Sequence, residues 1–376
     1  MYMSVVIKEV VSKKDLNAFI RLPHALYKNC PQWVPALDFD EKNTLNPQKN
    51  PAFDFCRAKY WLAYKDDIVV GRIAGIINDR YTEVWKQKNA RFGWLDFTDD
   101  YEVSGALFAT VEAWAKANGM DGIQGPLGFT DFDREGMLVE GFDELCILSG
   151  VYNFPYYPVH LAKWSYVKEI DWLEFRIQLT PDSYEKMDRM ARIVEKRLNL
   201  KVVTLRSSKD LLAYAKEIFA LLNNCYKNIF GFVPLTEKQV AYYTKLYFSF
   251  IRPDFILLIA DKDNKIVGFG FTLPSLSKAL QKTKGKLFPF GFLHMLQASR
   301  KNDTAELLLI AIREDLQGKG VNAMIMREGY KTFAKNNISM VDASGQLETN
   351  TKVLSLWEHF DAKQNKRKRC FSKKLS

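Results

Sequence analysis

The chain has 376 residues, of which 47% are hydrophobic and 14% aromatic, and a formal charge of +10. That apolar content supports two sizeable cores. No apolar run approaches the roughly 20 residues of a membrane-spanning helix. The N-terminus MYMSVVIKEV is not built like a secretory signal. The five cysteines (30, 56, 146, 225 and 370) show neither a CxxC nor zinc-ligand spacing. The protein is therefore expected to be soluble, reduced and cytoplasmic, with no metal and no membrane partner. The positive charge suits an anionic ligand such as a phosphorylated cofactor, an acidic substrate or nucleic acid.

In chain order, YKNCPQWVPAL (27–37) is followed by a hairpin, KYWLAY and IVVGRIAGI around Lys65-Asp66-Asp67. Asp and Asn suit such turns because they tolerate unusual backbone angles. A helix follows, with Val103, Leu107, Val111 and Trp114 at helical spacing, Asp99 and Asp100 as capping residues and Asn118-Gly119 at its end. The strand MDGIQG comes next. The loop GPLGFTDFDREGMLVEGFDE (125–144) is too long for a plain turn, and its carboxylates either attract a cationic amine or are simply solvated. After the strand WLEFRIQL (172–179), Thr180-Pro181-Asp182 opens a helix over 183–198.

The pattern then recurs. YKNIFGFVPLT (226–236) repeats the first block, and FILLIA and KIVGFGFTL around DKDN repeat the hairpin. VNAMIMREGYKTFAKNNI (321–338) repeats the helix, with ISMVDA as the next strand. The first two offsets are about 200 residues and the third about 20 longer, so the chain is a tandem duplication whose second copy carries an insertion over 273–303. Each copy reads as a mixed α/β (α+β) domain: a mostly antiparallel sheet with a central parallel strand pair joined by a crossover helix. The expected domains are 1–180 and 181–376. The tail KQNKRKRCFSKK (363–374) alternates Lys366, Lys368 and Cys370 with Arg367, Arg369 and Phe371, which predicts an exposed, lysine-guarded edge strand.

The strand AELLLIAI (305–312) runs into REDLQGKGVNAMIM (313–326). A helix start presents unpaired N–H groups and the positive end of the dipole, and small residues let a pyrophosphate approach them. Gly318 and Gly320 supply the small residues and Lys319 a cation. With the order of elements, Gln317-Gly318-Lys319-Gly320-Val321-Asn322 resembles the GNAT superfamily of acyl-CoA N-acyltransferases, whose pattern is Q/R-x-x-G-x-G/A. Glu348, Asn350 and Leu356 also fit a family pattern that ends in a helix, here ETNTKVLSLWEHF.

The resemblance implies a tandem GNAT enzyme using acetyl-CoA or another acyl-CoA, with Gln317–Asn322 and Asn350 toward the cofactor and backbone N–H groups of Ile310, Ala311 and Ile312 toward the thioester. A small-molecule or peptide amine would be the acceptor, with Tyr226, Phe230 and Phe232 beside it. No catalytic side chain stands out: Glu306, Asp342, Glu348 or a water chain are the bases to weigh, and His359 and Tyr330 lie near in sequence. Trp357 stands where the family often has a tyrosine acid, and Asn322 where it has Gly or Ala. The first copy has Asp99, Asp100 and Glu102 at the loop and is expected to be degenerate for CoA. An aminoacyl-tRNA-dependent transferase of the peptidoglycan-bridge type, and a non-catalytic CoA-binding protein, remain alternatives. The sequence is silent on the acyl chain and on oligomeric state.

Overall fold

A computed structural model describes residues 4–248 and 251–375. Along the chain run β1 (Val6–Glu9), α1 (Lys13–Leu26), α2 (Asp38–Thr44), β2 (Cys56–Lys65), β3 (Ile68–Asn78), α3 (Asp79–Trp85), β4 (Asn89–Phe97), α4 (Tyr101–Ala117), β5 (Gly122–Gly125), β6 (Met137–Glu140), α5 (Tyr156–Lys163) and β7 (Val167–Gln178). Then follow α6 (Pro181–Leu198), β8 (Lys201–Val203), α7 (Ser208–Tyr226), α8 (Glu237–Tyr247), β9 (Ile256–Ala260), β10 (Ile266–Pro274), α9 (Ser277–Thr283), α10 (Gly291–Arg300), β11 (Thr304–Ile312), α11 (Val321–Lys335), β12 (Met340–Leu347), α12 (Thr351–Leu354) and β13 (Asp361–Lys374). No helix of the described residues is long and apolar enough to cross a membrane.

The chain forms two compact units that do not follow a simple split at residue 180. The first comprises 1–173 together with 277–292 and 366–376; the second comprises 174–276 and 293–365. Residues 277–292 of the insertion and 366–376 of the tail, both late in sequence, thus belong to the first unit, and the rest of the insertion to the second.

In the first unit, β1 to β4 form an antiparallel meander and β4 pairs β5 in parallel. The hairpin turn places Asp66 and Asp67 at φ 53° and 60°, the left-handed pair a tight two-residue turn requires. Apolar side chains from α4 (Val103, Leu107, Val111) and the sheet (Ile73, Phe92, Phe97) build one core. The end of β13 pairs with β5, Phe371 opposite Gly125, and with β6. This corrects the expectation of an exposed edge. The residues do form a strand with the expected alternation, but Lys366, Lys368 and Cys370 are buried. Lys366 Nζ donates to the Leu145 carbonyl, Arg369 is bidentate to Asp171, and Lys373 pairs with Glu112. Arg369 and Lys373 are matched by acids of the first unit and Lys366 by a backbone carbonyl, so these cations are not held out as an edge guard.

In the second unit the order is β8-β9-β10-β11-β12, followed by the end of β7. Thr180 caps α6 by accepting from Ser183 N–H, with Pro181 in the first turn. Helices α6 and α11 cover one face, packing Met187, Ala191 and Val194 against Val321, Met324 and Ile325. The segment 348–360 is not one helix. It forms only α12 and a 3-10 turn, Trp357–His359. There the indole of Trp357 is buried against Phe175 and donates Nε1 to Gln346.

Candidate active site

The second unit carries a fork. β11 and β12 run parallel from Thr304↔Met340 to Leu307↔Ala343, and pairing ends there. Ser344 Oγ donates to the Leu308 carbonyl at 2.7 Å, at the point of divergence. Against β10 the register slips between Phe271 and Thr272, so that Leu308 is the bulged residue. Beyond it, alternation fixes which way each backbone group points. Arg313 N–H donates to Val267 of β10, and Ala311 lies opposite Phe269, so both face β10. Leu308, Ile310 and Ile312 face the fork. Their carbonyls are taken by Ser344, by the Tyr226 hydroxyl (3.1 Å) and by the Cys225 thiol (3.2 Å). The N–H groups of Ile310 and Ile312 point the same way as their carbonyls. Of the three residues expected toward a thioester, the geometry brings Ile310 and Ile312 to the fork and turns Ala311 away.

At the strand's end a short 3-10 turn (Glu314–Leu316) leads to the loop. Gln317 Nε2 donates back to the Ile312 carbonyl. Gly318 and Gly320 have φ of 72° and 87°, in the left-handed region that favours glycine. Gly320 is the N-cap of α11, and no side chain caps that helix. Its first-turn N–H groups, which a helix cannot pair internally, are therefore free of a side-chain acceptor. A Cβ on Gly320 would sit 3.0 Å from Val194 of α6, whereas one on Gly318 would meet nothing within 4 Å. Gln317, Gly318 and Lys319 are exposed, and Asn322 is half-buried in the first turn. Arg197, exposed near the end of α6, donates to the Lys319 carbonyl at 2.8 Å. No sequence signal flagged Arg197, because the contact joins residues more than a hundred positions apart.

The other expected residues fall as follows. Tyr226 lines the fork, and Phe232 packs edge-on against it, fully buried. Phe230 is half-buried. Cys225 is no nucleophile in waiting: burial, reinforced by Glu314, pushes its thiol up to about 11. Tyr330 packs its ring at a tilt against Tyr184 and lies about 15 Å along α11 from Gly320. Glu348 follows the end of β12, about 16 Å along the chain from Ala343. His359 is exposed on the 3-10 turn, and Asn350 caps α12 through its carbonyl. Two carboxylates, Glu306 and Asp342, lie opposite one another in the β11–β12 register just before pairing ends. Both are buried; Glu306 accepts from Ser275 Oγ and Asp342 is paired with Arg176. An apolar cavity of about 40 Å³ lies beneath, lined among others by Leu307, Met326, Tyr330, Phe333, Val341 and Trp357. No cluster with metal-ligand character occurs among the described residues.

A profile of the Acetyltransferase (GNAT) family matches residues 215–361, which contain the fork and the loop. Protein YghO of Escherichia coli K12 is 30% identical, over 98% of this chain and 95% of its own. A bacterial ceramide synthase of Caulobacter vibrioides is 25% identical, over 97% and 96%. Among solved structures, a tandem GNAT protein from the clavulanic acid biosynthesis pathway superposes with a TM-score of 0.58, at 11% identity over 99% of both chains. A GCN5-related N-acetyltransferase from Sphaerobacter thermophilus gives 0.54, at 11% identity over 99% and 96%. The structural likenesses speak to the fold.

Proposed function

Because the chain belongs to the GNAT acyltransferases and carries two of their domains in tandem, we propose that its second unit transfers an acyl group from acyl-CoA to the amine of a long-chain amphiphile. The observation that carries the cofactor reading is the uncapped, doubly left-handed glycine loop directly after a strand that diverges from its parallel neighbour. Acyl-CoA would supply an activated acyl carbon: the amine nitrogen forms a C–N bond, the C–S bond breaks, the thiol leaves, and the amine's lost proton balances the thiolate's gain.

The chain's own residues do the rest by position. The first-turn N–H groups of α11 and the helix dipole hold the pyrophosphate, with Lys319 and Arg197 adding charge at the rim. Ile310 and Ile312 offer backbone N–H groups toward developing negative charge on the thioester oxygen. Glu306 and Asp342 are the carboxylates at hand to draw a proton from the incoming ammonium. Glu348, His359 and Tyr330 lie on segments that lead away from the fork. The long-chain acceptor rests on the full-length similarity to a ceramide synthase, since a ceramide is the amide of a long-chain amino alcohol and a fatty acid.

The test is a thiol-release assay with short- and long-chain acyl-CoA against a panel of amines, with mass spectrometry of the amide. We expect the long-chain 2-amino alcohol with long-chain acyl-CoA to be the productive pair. Turnover of only acetyl-CoA with a polar amine would leave the fold and overturn the substrate reading. No thiol release with any pair would overturn the enzymatic reading of this site.

A further inference from the structure

The insertion between β10 and β11 inverts the usual rule for a surface. Phe288, Phe290, Phe292, Leu293 and Leu296 are all exposed, Phe288 to 79% and Phe290 to 68%. On α10 the exposed residues 292, 293, 296, 297 and 300 share one helical face, and its first three members are apolar. The base of the loop is anchored in the first unit. Gln281 Nε2 donates to the carbonyls of Pro31 and Trp33, Asp38 N–H donates to the Gly285 carbonyl, and a Cβ on Gly285 would sit 2.2 Å from the Ala36 carbonyl oxygen. The phenylalanines are therefore displayed from a fixed base, in a patch of the kind that marks an interaction surface.

Charge selects the partner. No Asp or Glu occurs between Asp263 and Asp303, while Lys278, Lys282, Lys284, Lys286, Arg300 and Lys301 flank the aromatics and are all exposed. We propose that this segment, 278–301, docks the protein on an anionic lipid surface, with the phenylalanines and leucines entering the interface and the lysines meeting headgroup phosphates. A second copy of the chain is the less fitting occupant. A two-fold contact would press each segment's cations against their own counterparts with no acid in the segment to offset them. The inference revises the compositional expectation of no membrane partner. It stands apart from the acyl-transfer reading, although a long-chain acceptor would be met at such a surface.

The experiment is co-sedimentation of the full chain with phosphatidylcholine vesicles, with and without phosphatidylglycerol, at low and high salt. Wild type should partition onto the anionic vesicles and be released by salt. The triple variant Phe288→Ser/Phe290→Ser/Phe292→Ser should lose about a hundredfold in partitioning. Lys282→Gln/Lys284→Gln/Lys286→Gln should lose the preference for the anionic vesicles. All six side chains are exposed, so both variants should keep wild-type thermal unfolding and short-chain thiol release. Wild type that stays in the supernatant overturns the proposal, as does sedimentation equal in the phenylalanine variant. A wild-type dimer in sedimentation velocity that the phenylalanine variant converts to monomer, without vesicle binding, overturns it in favour of the second copy.

Discussion

The two units build the same fork and treat it in opposite ways. In the first, β4 and β5 pair in parallel from Asn89↔Gly122 to Arg91↔Gln124, and β4 then bulges near Trp94, which sits at φ 43°. There the divergence is filled. Leu127 N–H donates to the Phe92 carbonyl, the Tyr157 hydroxyl accepts from Phe97 N–H, and the Tyr156 hydroxyl donates to the Phe97 carbonyl. In the second unit the fork-facing carbonyls of the equivalent strand are met by side chains: the Ser344 and Tyr226 hydroxyls, the Cys225 thiol and the Gln317 amide. The helix starts differ just as sharply. Asp100 caps α4 by accepting from Glu102 N–H, and Lys65 holds its carboxyl below the usual carboxylate range. His160 bonds both Ser104 and Asp99 and stacks on Tyr101. Ser104, His160 and Asp99 have the composition of a hydrolase relay, but Ser104 is fully buried and already accepts from Trp164. Side chains do in the first unit what a ligand's phosphates would do in the second.

The sharpest way to break that comparison is to put a carboxylate on the open helix. Gly320→Glu should abolish CoA binding, a loss of at least about a hundredfold, by adding negative charge at the helix start on top of left-handed strain and contact with Val194. Because the side chain is crowded there, Gly318→Asp and Gly318→Asn form the cleaner pair. Position 318 has open space, both residues tolerate the left-handed region, and they differ in charge alone. Calorimetry should find one CoA per wild-type chain, weakened in the Asp variant and retained in the Asn variant. A stoichiometry of two would mean that the filled first fork also binds, and the contrast between the units would collapse.

Much of this was legible in the sequence wherever its cause is local. The hairpin turns, the Thr180-Pro181 start of α6, the Asp100 cap and the start of α11 at Val321 each depend on a few neighbouring residues, and each was readable. The tail was half legible. Its alternation encodes a strand, but Lys366 and Lys368 are buried because partners from β5 and β6 arrive from more than 200 positions away. The filling of the first fork was illegible for the same reason: GPLGFTDF reads as a solvated loop until Leu127 is seen bonded to Phe92. At the site, glycines announced the loop, whereas the inward turn of Ala311 away from the fork depends on a bulge at Leu308 that no residue type marks.

Arg197 offers a smaller effect. It reaches from α6 to the Lys319 carbonyl and so braces the loop from a second helix. Arg197→Ala should weaken CoA binding about five- to tenfold, the scale of one charge-assisted hydrogen bond at an exposed rim. Arg197→Lys should recover part of it. Because the arginine acts on position and charge at the cofactor end, the loss should appear in KM for acyl-CoA with kcat nearly unchanged. An equal fall in kcat would place Arg197 nearer the chemistry than the geometry does.

The smallest effect tests the filled fork itself. Asp133 pins the filling loop: one carboxylate oxygen accepts from both Phe129 N–H and Thr130 N–H. Burial outweighs these bonds and raises its carboxyl from 3.8 to about 7. An acid whose folded value is raised binds more protons folded than unfolded. Its contribution to stability is full below pH 3.8 and is lost as pH rises toward 7 and beyond. Asp133→Asn keeps an oxygen acceptor for both N–H groups and removes the titration. The variant should therefore unfold a few degrees higher than wild type at pH 8, about the scale expected for a unit of this size. At pH 5 the difference should shrink, and CoA binding by the second unit should be unchanged at both. If the two proteins keep the same difference in melting temperature across that range, the carboxyl is not titrating under the first fork.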